Sequence, residues 1–244
     1  MNTAAQTKAP LLRSSIGLKA TMAATGIVYV GFVLVHMVGN LQIFLGPEAL
    51  NVYAYNLQHT GPMIGKSGAV VWGARVLLLT CLVLHVATAI KLKAGNRKAR
   101  ASRYVARNTI QASLASQYMM LSGLVILSFI IYHLLQFTIL PDTYAASYSH
   151  SMVHPLHGVD VEMHNVYGML VATFQIPGVS LFYVFCQALL GLHLSHAVAS
   201  VIQTMGFDHP RHRPTVQKLS LAYGAIIFFG NSTIPLAALF GLIS

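Results

Sequence analysis

Five long apolar segments constrain the fold of this chain more than any other feature. They cover residues 16–45, 69–92, 114–140, 175–205 and 219–242. A helix needs about 20 mostly apolar residues to cross the hydrocarbon core of a bilayer, and each segment is long enough. Only 8% of the 244 residues are charged, whereas soluble domains carry roughly 25%. The sequence therefore predicts one all-α integral membrane domain over residues 1–244, with five transmembrane helices.

The basic residues predict the orientation of these helices. All but two of the 15 Lys and Arg residues lie in three places. These are the region up to the start of the first segment, the second connection and the fourth connection. Such an excess of basic residues marks the cytoplasmic side, so we expect a cytoplasmic N-terminus and an external C-terminus. The net charge of +10 does not indicate a nucleic-acid partner, because the basic residues flank apolar segments, where they determine topology.

Each of the first four apolar segments contains a candidate ligand: His36, His85, His133 or His193. A histidine within a bilayer is costly and usually marks a pathway or a cofactor. Haem is the natural candidate, because its iron can take two neutral imidazoles from opposite faces, supplied by facing helices. One such histidine alone is equally compatible with a hydrogen bond to a neighbouring helix, but four on four successive segments favour the cofactor.

Depth in the membrane divides these histidines into two pairs. His36 and His133 lie eight to ten residues before the outer ends of their segments. His85 and His193 belong to segments that run inward, and they fall in the inner half or the middle. At a rise of about 1.5 Å per residue, the two levels are separated by roughly 10–15 Å, so we expect two stacked haems. His196, three residues after His193 on nearly the same face, is an alternative ligand.

Two glycines also enter the predicted site. Gly26 and Gly123 each stand ten residues inward of His36 and His133, close to the inner level. A glycine there would admit the edge of a porphyrin, although ordinary helix–helix packing also uses small residues. The fifth segment has no titratable residue except Tyr223, and we expect it to lie beside a four-helix haem-binding core.

Arg75 is the remaining charged residue of interest inside an apolar segment. It lies ten residues before His85 and therefore near the outer level. Because an unpaired arginine in lipid is costly, we expect it to contact a haem propionate or a quinone oxygen. The alternative is that its side chain reaches the outer membrane surface, since it is close to the start of its segment.

The outer connection between residues 141 and 174 is rich in histidine. It contains His150, His154, His157, Asp160, Glu162 and His164. Such a set can bind zinc or copper, but its spacing matches no compact ligand motif. A loop that covers a quinone site is the favoured interpretation. Cys81 and Cys186 fall within apolar segments without metal-ligand spacing and are expected to be packing residues.

With these residues laid out, the chain resembles the cytochrome b subunits of succinate dehydrogenases and fumarate reductases, in the five-helix, two-haem class. The similarity covers residues 15–240. The most specific stretches are LHVATAIKL at 84–92 with Asn96-Arg97, LSGLVIL at 121–127 with Tyr132-His133-Leu134, and GLHLSH at 191–196.

The resemblance implies a ligand set and partners. In that family, helices one and three hold the distal haem b, and helices two and four hold the proximal one. The distal pair would be His36 with His133, and the proximal pair His85 with His193, in preference to His196. A flavoprotein and an iron–sulfur protein would dock on the cytoplasmic face of a bacterial inner membrane. No catalytic residue for the dicarboxylate is expected here, since the chain has no flavin or iron–sulfur motif.

One departure from the family bears on energetics. Some fumarate reductases have a glutamate two residues before the helix-four ligand, which serves a transmembrane proton path; this chain has Gly191 there. We therefore expect uncompensated charge movement and a low-potential quinone, menaquinone. Two alternatives remain at this stage. One is a di-haem anchor for a hydrogenase or formate dehydrogenase, and the other is a proton or metal transporter, which would favour inverted repeats that are not evident.

Overall fold

The computed structural model describes residues 14–59, 68–99, 118–139, 141, 150–156, 159–207 and 209–244. Five of its helices are long and apolar enough to cross a membrane, which confirms the prediction of a multi-pass helical protein. The elements in chain order are α1 (Ser15–Asn40, continued by a 3-10 turn at Leu41–Leu45), α2 (Pro47–His59), α3 (Ala69–Lys98), α4 (Met119–Leu134, continued by a π turn at Leu135–Ile139), β1 (Ser151–Leu156), β2 (Val159–His164), α5 (Val166–Phe174), α6 (Pro177–Thr204) and α7 (Arg213–Leu239).

The spanning helices begin and end where local chemistry allows. The Ser14 side chain caps α1 by accepting a hydrogen bond from the Gly17 amide at 3.0 Å. Helix α6 begins with a proline. Proline has no amide hydrogen, which costs nothing in the first turn because amide groups there have no partner within the helix. Helix α3 continues to Lys98 and α7 begins at Arg213, six residues beyond the predicted segment in each case. The predicted segment ends were placed where the apolar residues end. A helix can continue further, because long basic side chains reach into the headgroup region.

The connections contain structure that the sequence analysis treated as loops. Helix α2 follows α1, and β1 pairs antiparallel with β2, with Ser151 opposite His164. The all-α prediction therefore misses one hairpin. Asn51 is fully buried and joins these pieces: its side-chain oxygen accepts from the Tyr167 amide at 2.9 Å. Its amide group donates to Asn165 Oδ1 at 3.3 Å. Together α2, the hairpin and α5 form what we call the cap.

Four of the spanning helices surround a common axis. Helix α1 packs on α3 on one side and on α6 on the other, and α6 also packs on α4. Helices α1 and α4 therefore face each other diagonally, as do α3 and α6. Diagonal helices in such an arrangement meet through side chains rather than through backbone contact. Each of these diagonals carries two of the predicted ligands.

Helix α7 lies outside this group, as predicted, but it is not loosely attached. Its contact with α6 is the most extensive between any two helices in the described residues. At the crossing, a Cβ added to Gly191 would lie 2.8 Å from the backbone oxygen of Gly224. The two backbones therefore touch, as at small-residue crossings in membranes. More of α7 is buried than of any other spanning helix. The helix therefore lies beside the other four but packs closely against them.

Two histidine pairs as a candidate cofactor site

The structure brings His36 and His133 together at the outer level. Their ring centroids are 5.9 Å apart, with an angle of 89° between the ring planes. A metal–nitrogen bond is about 2 Å long, and the centre of an imidazole ring lies about 1 Å beyond its nitrogen. Two imidazoles on opposite sides of one metal ion therefore have ring centroids roughly 6 Å apart. Axial imidazoles rotate about the metal–nitrogen bond, so the angle is compatible with ligation of one haem iron from opposite faces. The ring separation of the outer pair is therefore the one that two ligands of a single metal ion need.

The inner level contains His85 and His193, within electrostatic range of each other. Each of their rings lies against a glycine of a neighbouring helix. A Cβ added to Gly26 would be 3.8 Å from Cε1 of His85, and one added to Gly123 would be 3.4 Å from Cε1 of His193. Both are ordinary van der Waals distances, so each imidazole packs directly against the glycine backbone of its neighbour, and a Cβ would still fit there. Their predicted contact with a porphyrin edge stays a prediction.

Contacts between antiparallel neighbours define the two levels. Because Gly26 contacts His85, stepping ten residues outward along both helices brings His36 level with Arg75. The same step from Gly123 and His193 leads to His133 and Tyr183, and these two side chains are in contact, with Nδ1 3.2 Å from the phenol oxygen. Ten residues of helix correspond to about 15 Å. Both helical hairpins therefore have the same spacing between levels.

Hydroxyl groups determine which nitrogen of each inner histidine carries hydrogen. Thr25 Oγ1 lies 3.0 Å from Nδ1 of His85, and Ser122 Oγ lies 3.2 Å from Nδ1 of His193. Both hydroxyls already donate within their own helices, Thr25 to the Thr21 carbonyl at 2.9 Å and Ser122 to the Met119 carbonyl at 3.1 Å.

Since a hydroxyl has one hydrogen to donate, we infer from these bonds that the imidazole nitrogen is the donor in the two contacts. With hydrogen on Nδ1, the neutral ring has its lone pair on Nε2. Both hydroxyl contacts use Nδ1, so neither of them engages Nε2, and His85 has a further hydrogen bond to the backbone of Met22. Metal-binding histidines typically have this arrangement, with one ring nitrogen donating to the protein and the other ligating. The hydroxyl contacts of the inner pair are therefore compatible with ligation through Nε2.

The outer histidines are supported unequally. His133 Nδ1 contacts Tyr183 Oη, which donates to Gln136 Oε1 at 2.7 Å. By the same reasoning, His133 has its lone pair on Nε2. In contrast, Nε2 of His36 lies 3.1 Å from Nδ2 of Asn40 on its own helix. One outer ligand is therefore oriented by another helix, and the other is oriented only by its own.

His193 and His196 differ in their surroundings. His193 contacts both Ser122 and Gly123 of α4. Within the described parts of the chain, His196 has no hydrogen bond, and its recorded neighbour is His193. The packing of α4 against α6 therefore favours His193 as the ligand.

Arg75 lies at the outer level but on the exposed side of α3. Its guanidinium carbon is 5.0 Å from the centre of the Trp72 ring. It forms no ion pair with any residue that the structure describes. Stacking on an interfacial tryptophan is the contact that an arginine reaching the membrane surface makes. The contact with Trp72 is compatible with either interpretation of Arg75, and both stay predictions.

The histidine-rich connection does not gather into a metal site among the residues described. Strand register places His154 on one face of the hairpin and Asp160, Glu162 and His164 on the other. His154 instead contacts Glu48 of α2, with Nε2 3.2 Å from Oε1. No group of three or more His, Cys, Asp or Glu side chains assembles within the described ranges. The predicted candidate His157 lies outside them.

Sequence reasoning missed Thr25, Ser122 and Tyr183. A signal for the first two was present: a hydroxyl residue precedes a glycine in both segments, eleven residues before His36 and before His133. Comparisons with family models, curated proteins and solved structures found no match for this chain. The interpretation of the site therefore depends on its own geometry and on the resemblance of its motifs.

Proposed function

We propose that this protein is a di-haem cytochrome b that anchors a succinate:quinone oxidoreductase in the membrane, passing electrons between an iron–sulfur subunit and quinone. One observation carries the proposal. Two histidine pairs lie on the two diagonals of a four-helix arrangement, at levels ten residues apart. Haem b bound at each level would supply one-electron redox chemistry. Helix bundles build cofactor sites from facing helices in this way.

The residues of this chain have three tasks in the proposed function. His36 with His133, and His85 with His193, would hold the two haem irons. Hydroxyl groups hold three of these four rings in a single orientation. The apolar helices that carry both levels would surround the two haems with a medium of low polarity, which contributes to their reduction potentials. Dicarboxylate chemistry belongs to the flavoprotein partner.

Haem content and optical spectra test the proposal directly. The purified complex is expected to contain two b-type haems per copy of this chain, both low-spin, because two imidazoles fill both axial positions of each iron. One haem, or none, would contradict the assignment of four ligands. A protein without haem would point instead to a transporter. Co-purification with a hydrogenase or formate dehydrogenase, rather than with a flavoprotein and an iron–sulfur protein, would reassign the anchor.

The iron–sulfur partner is expected at the basic end of α3. Lys91, Lys93, Arg97 and Lys98 occupy its last two turns, and all four are exposed. This part of the chain has more basic charge than topology alone requires, although anionic lipid attracts such a segment too. The expected result is cross-links from these lysines to the partner. Proteolysis of this end from the outer surface of sealed vesicles would contradict the orientation. The basic residues at 100–107 lie outside the described ranges.

Quinone reduction is proposed to occur near the outer face, close to Arg75 and the residues after Gly46. At Gly191 the backbone of α7 leaves no room for a side chain, so that position cannot carry a carboxylate for protons accompanying the electrons. Electron transfer would then move charge, and one charge crossing the membrane is worth about 2.3 kcal/mol per 100 mV. Such coupling matters most for a low-potential acceptor, and menaquinone is the proposed quinone.

Sealed proteoliposomes test this mechanism. Succinate-driven menaquinone reduction is expected to change in rate when a potential is imposed, in opposite directions for opposite signs, and an uncoupler is expected to abolish the difference. A rate that is the same at both signs would rule out electrogenic turnover. Ubiquinone analogues provide a comparison in which the driving force is larger and the dependence smaller.

A further inference from the structure

Thr25 and Ser122 occupy equivalent places in the two halves of the bundle. Thr25 lies on α1 and Ser122 on α4, each immediately before the glycine that contacts an inner histidine. Both side chains are well buried, with 5% and 7% of their surface exposed. Each contacts the inner histidine of the antiparallel neighbour, Thr25 that of α3 and Ser122 that of α6. The same local structure thus occurs twice, on different helices.

The direction of these hydrogen bonds has a chemical consequence. Each hydroxyl donates to a carbonyl of its own helix and so presents a lone pair to the imidazole. An imidazole that donates from Nδ1 has more electron density on Nε2, which makes it a more basic ligand. A more basic ligand stabilises the oxidised form of a bound metal and lowers its reduction potential.

We propose that Thr25 and Ser122 are positioning residues that hold His85 and His193 with hydrogen on Nδ1 and leave Nε2 free for the inner haem iron. The two hydroxyls thereby lower the reduction potential of the inner haem and raise its affinity. The identity of the metal group rests on the proposed function above. The position of the hydrogen on each ring does not, because it follows from the hydrogen bonds of the protein alone.

Matched substitutions test the proposal in the complete complex. Thr25→Val and Ser122→Ala remove the hydroxyl oxygens that would accept from His85 and His193, with little change in side-chain volume. Thr25→Ser keeps a hydroxyl at position 25. Thr21→Val and Ser128→Ala are the controls, since both hydroxyls make the same bond within their helices, to Gly17 and Leu124 respectively. In redox titrations and in electron paramagnetic resonance of the ferric haems, the outer haem serves as an internal reference.

The expected result is an upward shift in the midpoint potential of the inner haem in each single variant, with a change in its ferric signal. The double variant is expected to bind the inner haem about 10-fold to 100-fold less tightly. Losses of this size are typical when a residue that hydrogen-bonds a metal ligand is replaced. Thr25→Ser is expected to behave as the unsubstituted protein. The proposal would be wrong if Thr25→Val and Ser122→Ala, with both haems bound, gave the same potentials and spectra as the two control variants.

A second measurement separates this proposal from the function it rests on. Nitrogen NMR of histidine-labelled, haem-free protein reports which ring nitrogen carries hydrogen, with His85→Ala and His193→Ala used for assignment. Hydrogen on Nδ1 of both rings, altered by Thr25→Val and Ser122→Ala, supports the positioning role. Hydrogen on Nε2 overturns it. If the unsubstituted complex contains no haem, the proposed function fails, and this measurement still decides the role of the two hydroxyls.

Discussion

The inner and outer halves of the bundle hold their histidines differently. At the inner level, both rings donate to a hydroxyl on a neighbouring helix and lie against a glycine there. At the outer level, His133 has such support from Tyr183, whereas His36 is tied through Nε2 to Asn40 of its own helix. If His36 ligates through Nε2, that bond must be given up. The inner site is therefore preorganised by helix packing, and the outer site requires one ring to reorganise.

The largest test of this comparison is to remove the ligands one level at a time. His85→Ala or His193→Ala is expected to abolish the inner haem and spare the outer one, because each iron would lose one of its two axial ligands. His36→Ala or His133→Ala is expected to do the reverse. Haem quantification with redox titration identifies which haem is lost.

His196→Ala provides the control, since it is expected to retain both haems. Loss of the inner haem in that variant, with retention in His193→Ala, would show that the ligand of α6 had been chosen wrongly. Loss of both haems in every variant would mean that the two levels are not independent. Immunoblots of membranes should accompany these measurements, because a bound cofactor also stabilises the folded protein by mass action.

A bulky residue in place of an inner glycine should damage the inner level alone. At Gly123 even a Cβ would lie 3.4 Å from the His193 ring, so Gly123→Leu is expected to displace that ring. Overpacking of this kind costs about 1–3 kcal/mol. Gly31→Leu is the matched control, because a Cβ there meets nothing within 4 Å. We expect loss of the inner haem signal in the first variant only; equal haem content in the two would contradict this use of glycine.

Tyr183→Phe perturbs the outer level in the same way that the hydroxyl variants perturb the inner one. It removes the acceptor for His133 Nδ1 and one donor to the fully buried Gln136. The expected outcome is a higher midpoint potential for the outer haem and a loss of about 1 kcal/mol in stability. Tyr223→Phe, which removes a bond to the Val30 carbonyl, is the control. A shift of the inner potential instead would invalidate the assignment of levels.

The smallest effect is expected in the cap. Glu48→Gln weakens the contact with His154, in which Glu48 is 75% exposed and the histidine is charged only when protonated. Exposed ion pairs contribute about 0.2–1 kcal/mol. Hydrogen exchange of the β1–β2 hairpin should become slightly faster, while both haem potentials stay unchanged. If exchange at α3 or α6 changed by more than exchange at the hairpin, the cap would be coupled to the haem levels.

Spacing along the sequence predicted the pairing of ligands because helices have a fixed rise. The distances of His36, His85, His133 and His193 from the segment ends gave their depths; in the structure His36 lies beside His133, and His85 and His193 interact electrostatically, while their role as ligands stays a prediction. The supporting hydroxyls could not be predicted in this way. Whether Thr25 meets His85 depends on which helices are neighbours and how each is rotated about its axis, and residue spacing does not determine either.

The cap was missed for a different reason. Its helices α2 and α5 are joined by Asn51, which contacts Tyr167 and Asn165, residues more than 100 positions away in the sequence. The packing of α7 was also missed, because the prediction considered titratable residues and the crossing with α6 depends on Gly191 and Gly224. Glycines at a close helix crossing have no distinctive charge or periodicity, so their role emerges only from the packed structure.

The diagonal placement of the ligands bears on how the protein is made. Each histidine pair takes one member from the α1–α3 hairpin and the other from the α4–α6 hairpin. Neither hairpin alone therefore offers two axial ligands at one level. During synthesis, the first hairpin would enter the membrane and wait without haem, and the inner site would be complete only when α6 emerges. Delivery of the inner haem would have to follow insertion of the fourth spanning helix, whereas the outer pair would be complete once α4 is inserted, so a chain truncated before α6 would bind the outer haem at most.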